Sequence, residues 1–437
     1  MRPDFYRADG DWTPLRLGRV GWFLAGAGFP HEFQGVEDAE LPFFKVADTN
    51  LPGNEQELRS APNTVSRLTA RQLGARICPA GAIAFPKVGA TLLGNKRRLT
   101  IGNCIFDNNM MALVPRAEHD PRFLLYALGD LDFGQLSNPG PVPSINAGDL
   151  KDVFLPIPAP RIQRSIASFL DRKTTTIDAL IHKKERLVEL LQEKRQALVT
   201  QAVTKGLSPN VTLKESGIPW IGKVPSNWKI VAVKRTAKPG RKTFTDGDWI
   251  ESPFITEEGV RLIQTGNVGI GRYKEQGFRY VSDRTFHELR CTEVDPGDVL
   301  ICRLDGPVGR ACLAPNLGVR MITSVDNAIL KPRADCDGRF LVYVLSSPKY
   351  LDWVQVLCRV GGGFRFRVSR SMLGDIQIPV PPADEQRRIA DLLDAQTERM
   401  SALEQKLELH CERLREYRQA LITAAVTGKI DVSQEAA

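Results

Sequence analysis

The strongest constraint in this sequence is a long internal repeat. Residues 156–204 recur as 379–427 at a constant offset of 223, without a gap and with about half of the positions identical. PIPAPRIQRSIASFLD returns as PVPPADEQRRIADLLD, and EKRQALVTQAVT returns as EYRQALITAAVT. A self-match of this length constrains the architecture before any local reading. Pro156, Pro158 and Pro160 hold an extended lead-in, because proline fixes φ and disfavours helix in the residue before it. Arg161 to Thr204 then contains neither proline nor glycine. Apolar residues fall at Ile166, Leu170, Ile177, Leu180, Leu187, Leu191 and Leu198. In the second copy they fall at Ile389, Leu393, Met400, Leu403, Leu407, Leu414 and Leu421. Spacings of three, four and seven predict an amphipathic helix of about forty residues, about 60 Å long, with these residues as its seam. The simplest partner for such a helix is its own copy. Lys173, Lys184, Lys194 and His410 interrupt the stripe, which predicts a helix pair with further neighbours rather than a strict zipper.

The repeat also segments the chain. A first variable block covers 1–155 and the first long helix 156–206, ending at Gly206, the usual residue past a helix end. An extended connector covers 207–227, a second variable block 228–378, the second long helix 379–430 and a short tail 431–437. The blocks read as mixed α/β with short strands between Gly, Pro and Asn punctuation. They echo one another weakly: FFKVADTN at 43–50 aligns with LIQTGNVG at 262–269, MALVPR at 111–116 with AILKPR at 328–333, and RFLLYAL at 122–128 with RFLVYVL at 339–345. The chain is a tandem duplication whose helices stayed alike while its blocks diverged. Helices kept alike are expected to meet a similar surface twice; blocks that diverged are expected to read different things.

At 437 residues, two or more domains are expected. The net charge of +8 and pI of about 9.1 fit a polyanionic partner without proving one. The eight cysteines show no C-x-x-C and no zinc spacing, so reduced thiols are expected, with no metal. No run of 18 apolar residues and no apolar signal core occur, which predicts a cytoplasmic protein.

Catalytic motifs are lacking. Gly89-x4-Gly94-Asn95-Lys96 imitates a phosphate loop without Gly-Lys-Ser/Thr. Gly266–Gly271 is a scrambled glycine fingerprint, and His31-Glu32 and His287-Glu288 lack the second histidine of a zinc protease. Asn138-Pro139-Gly140 is not the Asn-Pro-Pro-aromatic motif of amino-methyltransferases, and no Gly-x-Ser-x-Gly occurs.

Several stretches together resemble one family. They are Glu385-Gln386-Arg387-Arg388-Ile389-Ala390 at the second helix start and Ala424–Asp431 at its end. To these add the connector Ser216-Gly217-Ile218-Pro219-Trp220-Ile221-Gly222 with Val224-Pro225 and Trp228, and Pro42–Asp48 in the first block. The chain resembles the DNA-specificity subunits of type I restriction–modification systems over essentially its whole length. The first copy departs from the pattern, with Arg161-Ile162-Gln163-Arg164-Ser165 at its helix start. The resemblance implies an α+β fold: two mixed α/β target-recognition domains separated by two long antiparallel helices in a pseudo-twofold arrangement. It implies a non-catalytic, DNA-binding subunit of a DNA adenine methyltransferase/endonuclease complex, reading a bipartite site with one domain per half. Its helices would dock two copies of the modification subunit, and ATP-dependent restriction subunits would join. S-adenosylmethionine would sit on the partner, with no cofactor on this chain. The different blocks make the expected site asymmetric. Two other readings remain open: a scaffold tethering two ligand-binding domains unrelated to DNA, and a nuclease or methyltransferase in its own right.

Basic residues on glycine-containing loops are the candidates for DNA contact, because glycine admits a phosphate and Arg or Lys neutralises it or forks onto guanine. In the first block these are Lys87, Asn95, Lys96, Arg97 and Arg98; in the second, Arg303, Arg310 and Arg320. Arg359, Arg365 and Arg367 flank three glycines and alternate with phenylalanine, which suits a loop laid into a groove or a hairpin with solvated arginines. Lys234, Arg235, Lys238, Arg241 and Lys242 suit phosphate contact or plain solvated surface. Asp48 and Asn267 correspond across the blocks and are expected to cap turns.

Overall fold

Two long helices form where the repeat predicts them, over Pro160–Lys205 and Ala383–Val426. In the computed structural model, residues 12–138, 140–360 and 367–432 are described, apart from the side chains of 359 and 360. The chain divides into two compact units: Met1–Glu185 with Leu409–Ala437, and Arg186–Glu408. The division cuts through both long helices, so each unit holds one block, the start of one helix and the end of the other.

Within each unit the two helix segments run antiparallel. In the first, Asp178 meets Arg418 at 2.9 Å and Glu185 meets Arg415 at 2.6 Å, so numbers rise on one helix as they fall on the other. In the second, Arg195 meets Glu404 at 3.8 Å, while Ala202 and Val203 share a core with Ile389 and Leu393. The helix ends complete the core of each block. Ile166, Leu170, Ile422 and Ala425 pack with Phe123, Leu128 and Leu155 in the first unit. Ala202, Val203, Ile389 and Leu393 pack with Trp228, Phe340 and Leu345 in the second.

The seam is not quite the predicted one. Leu180, Leu187 and Leu403 are 42%, 49% and 45% exposed and lie outside it. The line turned inward runs through Ile177, Ile181, Lys184, Val188, Leu191, Arg195 and Leu198. In the second helix it runs through Met400, Glu404, Leu407, Cys411, Leu414, Arg418 and Leu421. These lines match position for position at the offset of 223. Leu180 and Leu187 sit one residue, about 100° around the axis, from Ile181 and Val188. Apolar spacing alone therefore slips off a stripe that also carries lysine, arginine and glutamate.

The two blocks share a common core of strand pairings despite their divergence, while Glu57–Leu58 extends a sheet of the first only and Ile255–Thr256 a sheet of the second only. In the first, Leu41–Phe44 pairs antiparallel with Thr64–Val65 and parallel with Ile105–Phe106. In the second, Val260–Ile263 pairs antiparallel with Tyr280–Val281 and parallel with Met321–Thr323. A second sheet has Met110–Pro115 between Gly21–Ala25 and Ile83–Pro86, and its counterpart has Asn327–Leu330 between Phe244–Asp246 and Val299–Cys302. The Asp48 carboxylate accepts from the Lys45 amide at 2.7 Å, and the Asn267 amide oxygen from the Gln264 amide at 2.8 Å. Both side chains are buried, as turn caps.

Candidate nucleic-acid interface

A block that reads a ligand has to be held firmly on its helix. Each block carries a short helix, Pro121–Gly129 or Gly338–Leu345, begun by Asp120 or Asp337 as N-cap. Gln163 takes the amide of Asp120 on its oxygen at 2.8 Å and donates to the Pro158 carbonyl at 2.8 Å. Gln386 does the same with Asp337 at 2.8 Å and Pro381 at 2.9 Å. One turn further on, the Tyr126 hydroxyl donates to Asp171 at 2.7 Å, and the Tyr343 hydroxyl to Asp394 at 2.7 Å. Burial, then the neighbouring carboxylate, raises both phenols, Tyr343 to about 12. Arg122 pairs with Asp171 at 3.4 Å and Arg339 with Asp394 at 2.9 Å. The end of the other long helix closes beside the same joint, where Trp12 packs on Phe123 and Trp228 on Phe340. Gly206 and Gly428 have φ of 74° and 73°, and a Cβ there would lie 3.3 Å from Trp228 and 2.9 Å from Trp12. Glycine is required at both places by conformation and by space. These latch residues carry no motif, but their identity in both copies was available from the repeat alone.

The structure sorts the basic candidates into those turned inward and those turned out. In the first block Arg97 is 5% exposed and stacks 3.4 Å from the Phe133 ring centre. It donates to Asn95 and to the Leu131 carbonyl, and burial pushes its guanidinium down to about 9. Asn95 takes a left-handed φ of 51° and accepts from the Phe133 amide at 3.1 Å. Arg98 donates to the Thr49 carbonyl at 2.9 Å, and burial lowers its pKa as well. Arg97, Arg98 and Asn95 are therefore corrected to structural roles: their side chains are turned into the block and bond within it, although Arg97 Nε is buried without a hydrogen-bond partner. Lys96 reaches Asn50 on an exposed edge, and Lys87 is half-buried beside a strand end.

In the second block Arg303 is 6% exposed, 3.3 Å from Asp246, and burial lowers its pKa. Arg310 spends its guanidinium on carbonyls, those of Val268 at 2.7 Å and Thr265 at 2.9 Å among them. Both are likewise corrected to structural roles. Arg320 pairs with Asp283 at 3.3 Å and Glu293 at 3.4 Å and lies over the Phe286 ring. Arg367 pairs with Asp326 at 2.9 Å and remains half exposed. Arg365 and the side chain of Arg359 lie outside the described residues. Among the described residues no cluster of His, Cys, Asp or Glu is suited to a metal, and no helix is long and apolar enough to cross a membrane.

The model of the type I restriction modification DNA specificity domain matches residues 10–190 and 253–412. The type I restriction enzyme MjaVIII specificity subunit of Methanocaldococcus jannaschii is 21% identical over 303 residues, 67% of this chain and 65% of its own length. The putative MjaX specificity subunit of the same organism is 25% identical over 66% of this chain and 62% of its own. The aligned part thus spans just under two-thirds of these relatives. Among solved structures, a chain from a study of assembly and conformational transition in a type I R-M system superposes with a TM-score of 0.73 at 18% identity, over 97% of this chain and 100% of that one. The HsdS subunit of Thermoanaerobacter tengcongensis superposes with a TM-score of 0.57 at 18% identity, over 98% of this chain and 100% of its own. The two matched regions cover most of the chain, and each takes in most of one block and most of the long helix that follows it, so the chain belongs to the type I restriction–modification DNA specificity family.

Proposed function

We propose that this chain is the non-catalytic, DNA-reading subunit of a type I complex, and that its two blocks read the two halves of an asymmetric, split DNA site. The observation that carries this is the contrast within the duplication. Two blocks with one core of strand pairings are held by the same glutamine, tyrosine and aspartate latches, yet their outward residues differ. Equal mounts with unequal surfaces suit two readers of two sequences. Bases are distinguished by a few side chains at groove edges, while the mount fixes register. The exposed leucines that the seam leaves out, Leu180 and Leu403, stand at equivalent positions and are the docking points proposed for two copies of a methyltransferase subunit. In this reading the methyl donor, S-adenosylmethionine, is held by the methyltransferase, this chain holds no cofactor, and ATP-dependent restriction subunits join the same core.

Reconstitution with a type I methyltransferase subunit from the same genome tests the reading. Transfer of labelled methyl groups from S-adenosylmethionine to duplex DNA should require both proteins. Methylation by either alone, or no affinity of the assembled complex for duplex DNA, would refute it; the latter would favour a scaffold unrelated to DNA.

A further inference from the structure

The second block carries a basic loop that the first lacks, at a place where the two can be aligned residue by residue. In the first block the edge strand is regular: Gly21 pairs with Pro115, Trp22 with Val114 and Phe23 with Leu113. In the second, Ala237 bridges Pro332 and Phe244 pairs with Leu330, the counterparts of the first and third of these pairs. Between them, where the first block has Trp22 alone, the second has Lys238-Pro239-Gly240-Arg241-Lys242-Thr243. The Lys238 amide donates to the Lys331 carbonyl at 2.9 Å and the Lys331 amide to the Thr243 carbonyl at 2.8 Å, so one partner residue closes both ends of the bulge. The loop turns through a φ of 133° at Gly240 and of 60° at Lys242; the latter is strained for a lysine.

The charges of this loop are only partly matched locally. Lys238, Arg241 and Lys242 are exposed and make no ion pair among the described residues. The nearby carboxylates are engaged by other cations: Asp375 by Lys234, Asp246 by Arg303 and Arg370, Asp335 by Arg333. Asp248 accepts from the Thr292 amide and interacts electrostatically with Lys242, which leaves Lys238 and Arg241 as the loop cations with no carboxylate paired to them among the described residues. Beside the loop lies an open groove of about 540 Å³, lined by Lys234, Arg235, Lys238 and Arg333 over Pro239 and Phe244. The loop thus sets Lys238 in the wall of the groove and presents Arg241 and Lys242 to solvent beside it.

We propose that Lys238, Arg241 and Lys242 form a phosphodiester clamp that grips the DNA backbone without reading bases, so that the second block supplies more of the sequence-independent affinity than the first. The inference rests on the DNA-reading function proposed above. Each phosphate neutralised contributes about 0.9 to the slope of log affinity against log salt.

The test uses the complex of full-length chain and methyltransferase. Binding to a duplex carrying its methylated site and to a scrambled duplex is followed between about 50 and 200 mM KCl. The variant Lys238→Gln/Arg241→Gln/Lys242→Gln should flatten the slope by about 2–3 on both duplexes, so that its deficit against wild type shrinks roughly 40-fold across that range. The methylated sequence should stay the same, and so should the melting temperature, because the three side chains are exposed. A second variant, with residues 238–243 replaced by one tryptophan as in the first block, should flatten the slope alike. A slope equal to wild type, or a loss confined to the cognate duplex, overturns the clamp while leaving the DNA-reading function standing. A wild-type complex without duplex affinity overturns both.

Discussion

Gln163 and Gln386, 223 positions apart, make the same two hydrogen bonds: each donates to a proline carbonyl ahead of its helix and accepts the amide of the aspartate that caps the block's own helix. Both are buried. The glutamine is therefore a joint between helix and block, not a surface residue of the helix start. Replacing Gln163 or Gln386 by alanine strands a buried amide and a buried carbonyl, at a cost of about 2–4 kcal/mol. Thermal unfolding of the full chain should show a fall of roughly 5–10 °C in the unit that carries the change. No shift in melting would refute the joint.

The register of the seam gives a sharper test, because neighbouring residues should behave oppositely. Ile181→Asp places a charge in the cluster with Ile177 and Cys411 and should destabilise the first unit by about 3–5 kcal/mol. Leu180→Asp, one residue away, should change folding by less than about 1 kcal/mol. The pair Leu180→Asp and Leu403→Asp should instead weaken co-purification with the methyltransferase. Equal effects of Leu180 and Ile181 on melting would contradict the assigned stripe.

Arg97 separates folding from binding. Its guanidinium is wedged against Phe133 and Phe85 and donates to Asn95. Arg97→Ala should cost about 2–4 kcal/mol in stability, through lost packing and stranded acceptors, and should leave the salt slope of DNA binding unchanged. A change in slope with wild-type melting would return Arg97 to the DNA surface.

His119 gives the first unit a pH dependence that the second lacks, since the equivalent position is Cys336. Burial holds the His119 pKa below the ordinary imidazole value of about 6.5. In the window between the folded value and about 6.5 the unfolded chain binds more protons, so stability rises with pH there and is lost as pH falls. The contribution is fully present above about 6.5. Melting of His119→Gln should be flatter than wild type across this acid window; an identical pH profile would remove His119 as the cause.

The parts of the molecule legible from sequence were those written twice or written periodically. The two long helices follow from their spacing and from the lack of proline and glycine between 161 and 204. The caps at Asp48 and Asn267 follow from local turn chemistry, which acts over three residues. What stayed hidden depends on distant neighbours. Lys96, Arg97 and Arg98 read as one basic run, yet Arg97 turns inward because Phe85 and Phe133, far away in sequence, close over it. Arg303 is buried by Asp246, on another strand. Leu180 reads as seam because it stands three residues after Ile177, yet the inward line passes through Ile181 and on to Lys184, Arg195 and Glu404, where charged residues hide the stripe. The latches fall between these cases: no motif marks Tyr126 and Asp171, but their survival as Tyr343 and Asp394 does.

The central claim is that two unlike blocks on equal mounts read two unlike half-sites. Genome-wide methylation mapping at single-base resolution, in cells carrying this chain with its methyltransferase, tests it most directly. The account predicts one methylated motif made of two short, different half-sites separated by a spacer of constant length and unspecified sequence. A continuous or palindromic motif, or none that depends on this chain, would contradict it.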